Sequence, residues 1–387
     1  MGRQPCLFFL RSRAPGTDIA AAVLLLSLLF VVPAGSAQTY TYSVLYNFSG
    51  LAGFNPSSAV VLGSSGNLYG ATQSGGALGL GAVFTLRASG EEEVLYSFDG
   101  AGGSAGVGDI CPDADGDIFG TTFGGGTADS GTVFRYNVHR RQYTMMYSFL
   151  GGTDGYWPSG GVIRDAAGNL YGTTYQGGDP ICSADQSCGT VFKLDTVGRK
   201  SILHNFVTAS GTFPQGGLLR DADGNLYGTA ANGGAHGAGV IYKIDPADAY
   251  RVVYSFRGKP DGEAPIGRLI RDNSHYLYGT TNAGGEFGLG TIFRLDRRTG
   301  QETVLYSFTG GSDGEYPFAG LVRDADGNLF GSAYQGGDLT CNAPYGCGTV
   351  FKLDKEGHFS VLHSFEWTDG LGIQARLSQD AAGNLYG

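Results

Sequence analysis

The sequence predicts an all-β propeller, and three observations carry the prediction. One phrase recurs every 50 to 57 residues, its strand segments are apolar on both faces, and none of them shows helical periodicity. The fullest copy runs over 160–206 as GGVIRDAAGNLYGTTYQGG, then GTVFKLD, then SILHNF, and a near twin occupies 319–365. A fixed period of this length marks one supersecondary unit used repeatedly. Residues common to all copies serve the architecture, so function is expected where the copies differ.

The chain opens outside that pattern. Arg3, Arg11 and Arg13 precede an apolar run from Ile19 to Val32, and Gly35, Ser36 and Ala37 follow. A basic start, a short apolar stretch and a small-residue exit describe a secretory signal peptide over 1–37, cut after Ala37. The run is shorter than the roughly 20 residues that a membrane-spanning helix needs. Residues 38–387 then read as a single propeller domain.

Each repeat supplies four strands in order. A GGLIRD-type strand begins near 58, 108, 160, 216, 267, 319 and 373. The GNLYG strand follows, carrying Tyr69, Phe119, Tyr171, Tyr227, Tyr278, Phe330 and Tyr386. The GTVFKL strand is centred on Phe84, Phe134, Phe192, Tyr242, Phe293 and Phe351. The LYSF strand closes the unit, with its Tyr or His at 46, 96, 147, 204, 254, 306 and 363. Val191 and Phe192 point to opposite faces and both are apolar, the mark of a strand buried on both sides. A four-stranded sheet sandwiched between copies of itself is a propeller blade, and radial closure hides its faces. The Asp-Ala-Asp-Gly-Asn runs at 221–225 and 324–328 suit the first hairpin, where Gly tolerates positive φ and Asp bonds nearby N–H groups.

Seven four-stranded blades are therefore expected. The strand near Tyr46 precedes any complete unit, so it is expected to close the ring as the outer strand of the last blade. That last blade shows two strands before Gly387 and is expected to be C-terminally truncated. A longer period is superimposed, because the anchor spacings run 50, 51, 57 and then 50, 52, 57. Equivalent surfaces should recur three blades apart.

Composition agrees with many short strands joined by tight turns. Glycine supplies 68 of 387 residues, more than double the usual share of about 7 %. The formal charge is −10 without a basic cluster, which argues against nucleic acid as a partner because phosphate contacts need Lys and Arg. No apolar run after the leader is long enough for an integral membrane segment. The two longest units alone carry internal cysteine pairs, Cys182/Cys188 and Cys341/Cys347, read as disulfides that stiffen two loops. Closing loops this small stabilises by about 2 kcal/mol. Cys111 aligns with Ile163 and is expected to be a buried small apolar residue.

The Asp-rich turns, with Asp113, Asp115 and Asp117 as one example, alternate as calcium loops do. They lack the bidentate carboxylate about eleven residues after the first ligand. A turn that forms by hydrogen bonding is the expectation, with calcium at these turns as the rival and no other metal or cofactor. Catalytic signatures are missing: the six His are scattered, and no GxSxG, HExxH or phosphate loop occurs. No catalytic residue is assigned.

The candidate binding residues lie in variable loops that a propeller presents on one face. The connections between blades supply Tyr156, Trp157, Phe213 and Tyr316. The loops between second and third strands supply Tyr175, Gln176 and Asp179, with duplicates Tyr334, Gln335 and Asp338. Exposed aromatics beside amides and carboxylates suit stacking on sugar rings or anchoring a protein. The competing reading has these rings capping the blade tops.

These words, LYSF, DG followed by P and GGL, RDADGNLYGTT, GG and GTVFKL, resemble the GloVer tandem-repeat family of bacterial exported proteins from about Tyr40 to Gly387. The DxxGNLY turn also resembles NHL-type propellers over one hairpin per blade. The family resemblance implies extracellular or cell-surface placement and carries over no catalytic residues. The expected function is a binding or structural module for carbohydrate or surface-protein ligands. The alternative is an extracellular propeller enzyme, a lyase or lactonase acting on polysaccharide or small esters.

Overall fold

The computed structural model describes residues 6–13, 39–48, 53–63, 65–182 and 188–387. Each sheet starts from the turn chemistry of its first hairpin. The Asp165 carboxylate accepts the backbone N–H of Asn169 at 2.8 Å, the Asn169 side-chain amide at 2.9 Å and the Tyr171 hydroxyl at 3.0 Å. Asp380, Asn384 and Tyr386 repeat the arrangement at 2.9, 2.7 and 3.0 Å. Three letters of the DxxGNLY phrase are thus one hydrogen-bonded unit. Burial alone would raise the Asp165 carboxyl, but these donors outweigh it and hold it below the ordinary value of 3.8.

From that turn the chain meanders outward. Val162–Arg164, Leu170–Thr174, Thr190–Leu194 and Lys200–Asn205 form an antiparallel four-stranded sheet in sequence order. Six sheets among the described residues have four strands, and none of the described helices exceeds a three-residue 3-10 turn. The fold is the all-β propeller that the repeat predicts, with a corrected count of four-stranded blades: six, not seven. The sheet ending at Ser97 has five strands, because Phe54–Pro56 and Val61–Leu62 pair separately with Leu68–Ser74. Both belong to one inner edge, broken between Ser57 and Val60.

Thr39–Asn47 takes the outer place in the last sheet, as expected of the strand near Tyr46. Between it and Leu385–Tyr386 lies Cys6–Arg13, a segment that the sequence assigns to the leader. The last sheet therefore holds four strands, where two before Gly387 and the closing strand near Tyr46 were expected. The physical reason is that an empty third place would leave backbone groups unpaired on both neighbours. Leu10, fully buried, sits opposite Leu385 as Leu194 sits opposite Leu170. The apolar run Ile19–Val32 and the cleavage position after Ala37 lie outside the described residues.

The seams between sheets explain the other constant words. The LYSF phenylalanine of one sheet meets the GTVF phenylalanine of the next edge-on: Phe149 and Phe192 are 5.2 Å apart, Phe308 and Phe351 5.3 Å, Phe98 and Phe134 5.6 Å. Room for the second ring comes from the glycine of LYGT. A Cβ on Gly172 would lie 2.7 Å from Phe192 Cζ, directly across the ladder. Farther out, the anchor position stacks on the outer strand of the next sheet. Tyr96 covers Tyr143 at 3.8 Å, His204 covers Tyr250 at 3.6 Å, and His363 covers Tyr42 at 3.7 Å, joining the last sheet to its neighbour.

His204 replaces the usual Tyr within such a stack, and burial drives its pKa down from 6.5 to about 4. Between those values the unfolded chain binds a proton that the folded chain does not. Stability from this residue is complete above pH 6.5 and falls as pH drops toward 4. His204→Tyr is expected to melt at nearly the same temperature at pH 4.5 as at pH 7, apart from the loss shared with other groups. Wild type should lose several degrees more over that interval in differential scanning calorimetry. Parallel losses in the two proteins would sink the assignment.

Both predicted disulfides are present, Cys182–Cys188 and Cys341–Cys347. Cys111 is half-buried rather than buried, packed beside Phe119 with its thiol pushed up by burial.

Candidate ligand-binding funnel

The connections between blades hold a backbone feature that the sequence does not announce. Trp157, Phe213 and Tyr316 have φ of 57°, 58° and 55°, the left-handed region. Two sets of hydrogen bonds fix them there. The Trp157 N–H donates to Ser130 O of the preceding sheet at 2.9 Å, and Trp157 O accepts from Tyr175 N at 3.0 Å. Phe213 repeats this with Cys188 and Ala231, and Tyr316 with Leu289 and Tyr334. Asn55, Ala105 and Ala264 share the conformation at the matching positions, so the fold demands the turn and not the ring. A bulky residue is a costly occupant where glycine is cheap. The rings are there for what they contact.

Trp157 and Phe213 each meet neighbouring rings. Trp157 stacks on Phe123 at 5.2 Å with 12° between the planes, and Tyr156 lies 6.1 Å from Trp157. Tyr175 meets Phe213 at 4.9 Å, and Tyr334 meets Phe318 at 5.0 Å. All of the predicted aromatics are half-buried, which corrects the expectation that they stand exposed. Gln176 and Gln335 are tied down through their backbones, to Tyr156 and Glu315. Asp338 is a loop former: its carboxylate accepts Thr340 N–H at 2.9 Å and the Thr340 hydroxyl at 2.7 Å, which lower its pKa. Its carbonyl receives Cys341 N–H at 3.1 Å, and Asp179 does the same for Cys182 at 3.3 Å.

Inside this collar lies a cavity of about 260 Å³ reached by the inner strands of many sheets. Phe123 and Phe318, the partners of Trp157 and Tyr334, form part of its wall. Gln73, Gln215 and Gln374 add amides, and Asp109, Arg268 and Arg376 add charge. Adjacent inner strands touch backbone to backbone: a Cβ on Gly160 would fall 2.8 Å from Gly216 O. Glycine alone permits that approach, and it keeps the central space narrow.

The charged residues form one cluster. Arg376 Nε donates to Asp109 Oδ2 at 3.0 Å, Arg268 Nη1 lies 3.6 Å from the same oxygen, and Ala59 N–H donates to Oδ1 at 3.4 Å. Burial alone would raise the Asp109 carboxyl, but the two guanidiniums outweigh it and hold it below 3.8. Burial also works against the charge on Arg268, which Asp109 supports.

None of the ten residues predicted to bind lines the cavity; Trp157 and Tyr334 stand behind its wall, against Phe123 and Phe318. The missed residues had a signal. Ala59, Asp109, Gly161, Gly217, Arg268, Gly320 and Arg376 occupy one column of the repeat. Three copies put a charge where the others have Gly or Ala, inside the word read as constant.

The family model of the Gloeobacter/Verrucomicrobia repeat matches residues 31–184 and 181–387. No curated protein matches the chain. Among solved structures, a chain of a nidogen/laminin complex is similar at 14 % identity and TM-score 0.49, covering 76 % of this chain and 94 % of that one. A gluconolactonase from Xanthomonas campestris is similar at 16 % identity and TM-score 0.46, covering 85 % and 93 %. TolB from Acinetobacter baumannii is similar at 13 % and 0.45, covering 76 % and 62 %. Likenesses at this level carry nothing about activity.

Proposed function

The chain belongs to the Gloeobacter/Verrucomicrobia repeat family, and from that premise we propose that it is an exported binding module whose ligand, a carbohydrate or surface protein, docks on the funnel face. One observation carries the reading: bulky aromatics occupy costly left-handed positions around a cavity rich in amides and charge. Rings held this rigidly lose little entropy on binding, which is what makes aromatic anchors effective.

The enzyme alternative predicts His and acids gathered at the mouth of the channel. Among the described residues the cavity lining carries one carboxylate, that of Asp109, already shared between two guanidiniums. This favours binding over hydrolysis or elimination. Extracellular placement is supported by the two disulfides, which persist in oxidising compartments. No helix among the described residues is long and apolar enough to cross a membrane. Removing the leader and keeping Cys6–Arg13 in the last sheet are alternatives for the same residues.

Trp157→Ala and Tyr316→Ala test the proposal. Each is expected to weaken glycan-array or partner binding by about tenfold, as loss of an aromatic anchor does, while circular dichroism stays unchanged. Undiminished binding by both variants would remove the funnel face as the docking site.

A further inference from the structure

We propose that the floor of the funnel is a carboxylate site, and that it takes the acidic sugar of a uronic-acid-bearing saccharide. The inference rests on the binding reading above and names its ligand. Its origin is a local excess of charge. Among the described residues Arg268 and Arg376 converge on Asp109 alone, so two positive groups share one negative group in a chain whose net charge is −10. A half-buried cation without a full counter-charge is poorly compensated, and a narrow cleft focuses its field outward.

The donors fit a carboxylate. Each guanidinium carries five N–H groups in a planar fork that matches carboxylate oxygens. Arg376 spends Nε on Asp109 and Nη1 on Leu377 O at 3.3 Å. Arg268 faces Asp109 through Nη1. The remaining donors have no acceptor among the described residues. Ser159, in the same lining, holds a buried hydroxyl oxygen with no hydrogen-bond partner among the described residues. A bound anionic group would take up the free guanidinium donors, which belong to the lining of the cavity and keep part of their surface exposed.

The rest of the wall favours a sugar over a peptide terminus. Side-chain amides of Gln73 and Gln374 are suited to ring hydroxyls, and Phe123 offers a face for stacking. The volume, about 260 Å³, falls just below the range of drug-sized sites, roughly 300–1,000 Å³, and suits a single sugar ring.

The test is calorimetric titration of the full chain with an oligogalacturonate trimer and with its methyl ester. A tripeptide with a free C-terminal carboxylate serves as the second arm. The acid trimer is expected to bind at least about tenfold tighter than the ester, with the advantage shrinking at high salt. Arg376→Gln and Arg268→Gln should each narrow the gap between acid and ester, the acid losing more than the ester. The ester comparison needs no variant, so it holds even where a substitution harms folding. Equal binding of acid and ester overturns the carboxylate site while sparing the binding reading. Binding of the tripeptide and not the trimer overturns the saccharide. If neither trimer binds and Trp157→Ala alters no array signal, both proposals fall.

Discussion

Phe192→Ala is expected to lower the unfolding free energy by about 3–5 kcal/mol, the range for removing a fully buried Phe. Phe192 has no exposed surface and sits among Phe149, Val162 and Leu170. Its ring fills the space that Gly172 vacates on one side and meets Phe149 of the neighbouring sheet on the other. Truncation loses the burial, the edge-on pair and a filled volume together, and a strand locked in a ladder cannot collapse into the gap. Denaturant unfolding checks the value. Phe351→Ala, in the matching unit, should cost the same within about 1 kcal/mol, because Phe308 and Gly331 repeat the surroundings. A loss below 1 kcal/mol in both would contradict the packing described.

Asp109→Ala is expected to cost about 2–3 kcal/mol, short of the roughly 3–5 kcal/mol of a fully buried ion pair because the stranded partners keep part of their surface in water. Here two partners are stranded, Arg268 and Arg376. The contribution is complete above the ordinary carboxyl value of 3.8 and is lost as pH falls through the depressed folded value. Asp109→Ala combined with Arg376→Met should recover part of the loss, since an apolar replacement removes one uncompensated charge. Thermal melts of the single and double variants decide the matter. A single variant as stable as wild type would show that the cluster holds nothing together.

These two residues also mark how much of the molecule was legible. Phe192 could be read directly. It recurs at a fixed place in the repeat, apolar neighbours alternate around it, and a glycine stands opposite. Local words carry local physics, so strands, turns, both disulfides and the ring were visible. Asp109 could not be read the same way. Its partner Arg376 lies 267 positions away, and each looks like a single departure from its own repeat. Only ring closure makes them neighbours. The left-handed turns were hidden for another reason: Trp157, Phe213, Ala105 and Asn55 adopt one conformation with four side chains, so no residue type betrays it. The strand Cys6–Arg13 was obscured because a basic and apolar stretch reads in the sequence as the start of a leader.

The stacks that join neighbouring sheets carry a mechanical consequence. In a linear array of repeats, the terminal unit has one neighbour and peels away by breaking one seam. Here His363 against Tyr42 links the last sheet to the one before it, and Phe48 against Phe84 links it to the next. Among the described residues no sheet is terminal. Releasing any of them requires two seams to part together, so the circle does not open from one end as a linear array does.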